Sequence, residues 1–123
     1  MSELGFRLAS RLEVVGDVRL LWAPTAVRDL ERILDYVEAR GDAQAAEAIY
    51  RRLWERIESL KHHPGQLRIV PELRELGILA YRELIVRPYR VVVRVEAEAV
   101  HILAVLDGRR ALAALLLDRV AEP

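Results

Sequence analysis

Two hydrophobic periods alternate along the chain, and they predict its elements before any single residue is weighed. "VRLLW" (18–22) is a short apolar run of strand type. Beyond Pro24 and Thr25, the apolar positions Ala26, Leu30, Ile33, Leu34 and Val37 fall at i, i+4, i+7, i+8 and i+11, one face of an amphipathic helix. Proline suits the start of such a helix, and Thr25 is expected to accept a hydrogen bond from its first turn. Gly41, free to adopt positive φ, should stop it. Asp42 is a good N-cap for a second helix, whose stripe is Ala46, Ile49, Tyr50, Leu53, Ile57 and Leu60. His62, His63, Pro64 and Gly65 close that helix. With only a residue or two between them, the helices should fold back as an antiparallel hairpin. Their opposite faces carry Arg28, Asp29, Glu31, Arg32, Asp35, Arg51, Arg52 and Glu55, read as solvated surface.

After Gly65 the helical stripe is lost. "QLRIVPELRELGILA" (66–80) contains Pro71 and Gly77 and reads as a loop with one short extended piece. "YRELIVR", "YRVVVRVE" and "AVHILAVLD" are then three strand-like runs, the first two divided by Pro88 and the last two by the polar turn "EAEA". Connections this short require antiparallel neighbours, hence a meander. In the middle run Tyr89, Val91, Val93 and Val95 share the face that should pack on the helices, while Arg90, Val92, Arg94 and Glu96 share a half-polar face. "ALAALLLDRV" (111–120) reads as a short C-terminal helix. Residues 1–17 fit two patterns. Leu4, Leu8, Leu12 and Val15 suit a helix; Phe6, Leu8, Leu12 and Val14 suit a strand, with Gly16-Asp17 as a hairpin turn into "VRLLW". The expected organisation is an N-terminal extension over 1–17 and one α+β domain over 18–123. That domain comprises an N-terminal strand, an antiparallel helix hairpin packed on an antiparallel sheet with a three-strand C-terminal meander, and a short C-terminal helix.

Composition narrows the function. Hydrophobic residues make up 53% of the 123, enough for a core. Lys+Arg and Asp+Glu both number 19, so no general basic field exists to bind nucleic acid over the whole surface. Lys61 is the only lysine, and the other 18 basic residues are arginines, which grip phosphate or carboxylate bidentately. The absence of cysteine excludes disulfides, thiolate metal sites and cysteine nucleophiles. No apolar run approaches the ~20 residues of a transmembrane helix. The N-terminus lacks a signal-peptide pattern, so a cytoplasmic, membrane-free protein is expected.

Ordered motifs then meet a known family. Trp22-x-x-x-Ala26-x-x-Asp29-Leu30, the helix end Leu60…Pro64-Gly65, Tyr81-Arg82-Glu83-Leu84, Tyr89-Arg90-Val91-Val92 and the closing Gly108-Arg109-Arg110 together resemble the RelE/ParE toxin superfamily, from about Arg19 to Arg110. The resemblance implies a toxin of a bacterial type II toxin–antitoxin system, with a cognate, ParD-like antitoxin as partner in a hetero-oligomer. It implies no cofactor and no metal. RelE-type members cleave messenger RNA on the ribosome, which needs a general acid or base and cationic stabilisation of phosphate. Here "ALAALLLDRVAEP" holds no Tyr, His or Lys, the lysine-rich patch of that branch is missing, and Val93 stands where many relatives carry tyrosine. The ParE branch, which acts on DNA gyrase without established catalytic residues, is the better match. The alternatives are a RelE-like ribonuclease using Tyr81 or Tyr89 as proton donor, or a non-toxic relative that binds an antitoxin.

No catalytic residue is assigned. The candidates for meeting a target are Arg82, Arg90, Arg94, Arg109 and Arg110. For the sheet arginines the structural reading is cross-strand pairing with Glu83 and Glu96; the functional one is an arginine-lined surface for an acidic partner or nucleic acid. Arg109-Arg110, at the end of the last strand, points more towards function. His62-His63 suits a helix C-terminus and, with side chains about 100° apart, makes a poor chelate. His101 reads as a packed or rim residue, and Trp22 and Trp54 as core aromatics.

Overall fold

The computed structural model describes residues 14–15, 18–63, 67–108 and 116–119. Strands β1 (Val14–Val15) and β2 (Val18–Trp22) are followed by helices α1 (Pro24–Ala39) and α2 (Ala43–Glu58). Next come β3 (Arg68–Ile69), a single-turn helix α3 (Pro71–Arg74), β4 (Tyr81–Val86), β5 (Tyr89–Val95) and β6 (Ala99–Asp107). Residues 116–119 form a helical turn, the described part of the C-terminal helix. Among the described residues no helix is long and apolar enough to cross a membrane.

The hairpin forms for the expected local reasons, with one exception. Pro24 occupies the first turn of α1, Gly41 breaks it at φ +85°, and the Asp42 carboxylate accepts from Ala45 N–H at 2.8 Å. Thr25, however, does not cap α1. It lies inside the helix, Ala23 is the N-cap with no side-chain bond, and the Thr25 hydroxyl donates instead to the Leu103 carbonyl at 3.4 Å.

The sheet runs β1-β2-β6-β5-β4-β3. The meander β4-β5-β6 is antiparallel, and Val14–Val15 pairs antiparallel with β2, which decides the N-terminal ambiguity for a strand at those two positions. The N-terminal strand joins the meander in parallel, Arg19 opposite Ala99 and Trp22 opposite Ile102, so the sheet is mixed at that seam. The long connection that a parallel pair needs runs from the helix hairpin through β3, α3, β4 and β5. Between Val92 and Val93 the β5–β6 register slips by one, leaving Leu103 as a bulge.

Two cores flank the sheet. Tyr89, Val91 and Val93 face the hairpin with Leu30, Leu34, Leu53 and Ile57, and Val95 packs against the same cluster, as the alternation predicts. Trp22 and Trp54 stack there with centroids 6.4 Å apart. The opposite face is drier than expected. Val92, Ala104 and Leu106 are covered by Val70 and Leu73 of the α3 segment and by Leu116. The stretch 66–80 is thus more than a loop. Pro71 starts a helix with Glu72 in its first turn and Arg74 in its last, but four residues are too few to show a period.

Candidate functional site

Burying a charged strand residue requires partners, and Arg90 has three contacts to supply them. Its Nε donates to Glu83 Oε1 at 2.7 Å, and its two terminal nitrogens grip both oxygens of Glu72 at 2.7 Å each. Arg68 Nε meets the second Glu83 oxygen at 2.5 Å. Glu83 comes from β4, Arg90 from β5, Glu72 from α3 and Arg68 from β3, so four elements close on one alternating network. The Glu83 side chain is 0% exposed and the Arg90 side chain 11%. Arg90 is held protonated: the hydrogen bonds it donates to Glu72 and then to Glu83 raise its pKa against the effect of burial.

The same contacts act on Glu72, whose carboxyl is held below its ordinary value near 4.5, chiefly by the Arg90 hydrogen bond and despite partial burial. A carboxylate depressed on folding stabilises the fold above its unfolded pKa, and that contribution is lost as pH falls through the folded pKa. Acid destabilisation should therefore contain a component that begins below pH 4.5. Glu72→Gln should lower stability near neutrality and shrink the stability difference between about pH 7 and about pH 3 in urea melts. Identical pH dependence in the two proteins would contradict this.

A second ionic tie lies across the sheet. Asp29, read from sequence as surface, is 4% exposed. It accepts from Val105 N–H at 3.0 Å, and Arg119 reaches both its oxygens at 2.6 and 2.9 Å. One carboxylate on α1 thus satisfies a strand amide near the bulge and anchors the C-terminal turn. A helical wheel shows neither function, because each partner is more than seventy residues away.

The five candidate arginines are not one cluster. Arg90 and Arg94 share the α3 face, but Arg94 is exposed and 3.5 Å from Glu96, which also contacts His101. Arg82 stands opposite Val93, on the hairpin face, and donates to the Leu67 carbonyl at 2.7 Å. Arg109 and Arg110 lie outside the described residues. Gly108, just before them, is described and explains its residue type. A Cβ there would lie 3.0 Å from Arg90 Cγ and Cδ and 3.0 Å from the Pro88 carbonyl oxygen, while Gly108 N–H donates to that same oxygen at 2.7 Å. Gly108→Ala should therefore cost about 1–3 kcal/mol through overpacking against backbone. A chemical-denaturation midpoint unchanged by it would show that the turn can yield.

Around this point opens a cleft of about 1010 Å³ whose lining includes Arg52, Arg56, Arg68, Arg87, Arg90 and Gly108. Arg52 and Arg56 come from α2, and Arg87 from the β4–β5 turn. Arg52 donates to the Arg87 carbonyl at 2.7 Å. Sequence reading assigned Arg52 to solvated surface and passed over Arg56 and Arg87. The signal was a like-charged i, i+4 pair on α2. A second cleft of about 580 Å³ is lined by Ile33, Tyr36, Val37, Leu106, Asp29 and Arg119 among others. Among the described residues no group of His, Cys, Asp and Glu is placed to hold a metal.

Comparison with known proteins gives a family match and a structural likeness. The model of a family described as "ParE toxin of type II toxin-antitoxin system, parDE" matches residues 20–112. The solved structure "Chromosomal ParDE TA system from P. aeruginosa" superposes with a TM-score of 0.58 at 21% identity, over 72% of this chain and 92% of that chain. At that identity the likeness is one of fold. No curated protein matches.

Proposed function

The chain belongs to the ParE toxin family of type II toxin–antitoxin systems, and on that premise we propose that it poisons DNA gyrase and is neutralised by a cognate, ParD-like antitoxin. The observation that carries the reading is the family match over residues 20–112. What the chain lacks for the ribonuclease alternative supports it further. The two tyrosines considered as proton donors are engaged in packing, Tyr81 against the α3-side core and Tyr89, 9% exposed, in the hairpin-side core. Arg90, buried on the sheet, pairs with Glu72 and Glu83. The protein acts in the bacterial cytoplasm, with residues 18–123 as the toxin domain and 1–17 as an extension. Induced expression should halt growth, and the purified protein should inhibit supercoiling by gyrase. Normal supercoiling under excess protein would remove the gyrase reading, and ribosome-dependent cleavage of messenger RNA would replace it.

The antitoxin binds chiefly through apolar surface. Tyr36 is 63% exposed on α1 beside the second cleft, and Leu76 and Leu79 are 54% and 58% exposed after α3. Burial of such groups gives a negative heat-capacity change, which titration calorimetry reads directly.

Of the target-binding candidates, Arg109 and Arg110 lead, with Arg94 and Arg82 after them. Arg90 supports the pair indirectly, because its stem packs on Gly108. Replacing Arg109 and Arg110 together by alanine should reduce toxicity while shifting stability by under ~0.5 kcal/mol. A variant that folds and stays fully toxic would move the contact elsewhere.

A further inference from the structure

We propose that the arginine cleft between α2 and the β4–β5 turn is a binding site for the phosphodiester backbone of a polynucleotide. The proposal stands on the cleft alone, and its failure would leave the toxin reading untouched.

Among the described residues the lining includes five arginines and no carboxylate. Two of them are neutralised from behind, Arg68 by Glu83 and Arg90 by Glu72 and Glu83. For Arg52, Arg56 and Arg87, among the described residues, no carboxylate partner exists, and all three are exposed. Among the described residues, three positive charges are thus left unbalanced around one concavity.

Helix α2 does not require this arrangement. On the neighbouring face Arg51 pairs with Glu47 at i, i+4 in the stabilising order. Arg52 and Arg56 are also i, i+4, but of like charge, which disfavours the helix. Four residues of helix set their Cα atoms about 6 Å apart along one side. Arg52 gives one N–H to the Arg87 carbonyl, which fixes its guanidinium at the cleft and leaves further donors free.

The chemistry of the lining selects the occupant. Arginines offer donors only, so the ligand must offer acceptors, and three unbalanced positive charges favour acceptors that are repeated and negatively charged. An acidic peptide helix would also need apolar anchors, and the exposed large hydrophobics Tyr36, Leu76, Leu79 and Leu117 are all absent from the lining. Among the described lining residues the one aromatic, Tyr89, is buried and offers no ring face for base stacking. What remains is contact with a phosphate chain, independent of base sequence.

The test is fluorescence anisotropy of the full chain with labelled duplex DNA, single-stranded DNA and RNA of one sequence, over a salt series. Three phosphate contacts set a log–log salt slope of about −2.7 on a duplex and about −2.1 on a single strand. Affinity for a duplex then falls about 40-fold between 50 and 200 mM salt. The variant R52A/R56A/R87A should bind at least tenfold more weakly at low salt and lose most of that slope. R52K/R56K/R87K, which keeps the charge, should retain the slope, and so separates loss of contact from loss of fold. Comparison of the three oligonucleotides identifies which polynucleotide fits best. The proposal is overturned if none binds at low salt, if the alanine variant binds as its parent does, or if poly-glutamate of equal charge competes as well as the oligonucleotides.

Discussion

Arg90→Ala should lower the free energy of unfolding by about 3–5 kcal/mol, the range for breaking a buried ion pair from one side. The loss does not come from the missing attraction alone. Glu83 stays behind with a side chain that is 0% exposed, and only Arg68, itself 59% exposed, remains to meet it. Glu72 loses both hydrogen bonds from Arg90 and, with them, the tie between α3 and β5. Removing both buried partners is a different experiment. R90M/E83L leaves Glu72 and Arg68 free to turn to water and fills the space with apolar volume, so most of the loss should return. A double variant as unstable as the single one would place the cost in packing rather than in an orphaned carboxylate.

Val93→Asp should be comparably severe for a different reason. Val93 is 0% exposed in the central strand, opposite Ile102 on one side and Arg82 on the other. Its side chain points into the hairpin-side core. A carboxylate there is desolvated without a designed partner and should cost about 3–5 kcal/mol. At roughly 4 °C per kcal/mol, the melting temperature falls by about 12–20 °C. Arg82, directly opposite, could soften this by giving up the Leu67 carbonyl it now serves. An unchanged circular-dichroism melt would contradict the burial.

These two sites also show what a sequence discloses. The face of Val93 was legible because β5 alternates strictly and the bulge falls on β6, so Tyr89, Val91, Val93 and Val95 keep their side. The hairpin was legible through its stripes, Gly41 and Asp42. Arg90 was legible as an anomaly but not as a network. Glu83 was visible as a cross-strand neighbour; Glu72 lay in a stretch without periodicity, and only the tertiary fold brings α3 over the sheet. Asp29 failed for a related reason. Helical spacing put it beside surface arginines, and its burial depends on Val105 and Arg119, far away in the chain. Thr25 obeyed the local signal for a cap, yet a distant strand carbonyl took its hydroxyl. In each case a local rule met a partner from remote sequence, and the partner prevailed.

The parallel seam of the sheet bears on when this protein can exist as a folded object. Trp22 finds its strand partner only at Ile102, eighty residues later by their numbering. Arg19, Leu20, Leu21 and Trp22 of β2 all pair with β6, the last strand of the sheet to be made. At a synthesis rate of roughly 5–20 residues per second, that interval lasts about 4–16 s. Until then the hairpin can form, but the sheet beneath it is open at the β6 position and its apolar face lacks a floor. A nascent or prematurely terminated chain is therefore without the surface that defines the finished fold. The high sequence separation of this pairing also makes closure slow relative to hairpin formation. A cell translating this message thus gains an interval, written into the strand order, in which the chain is present and its folded surface is not.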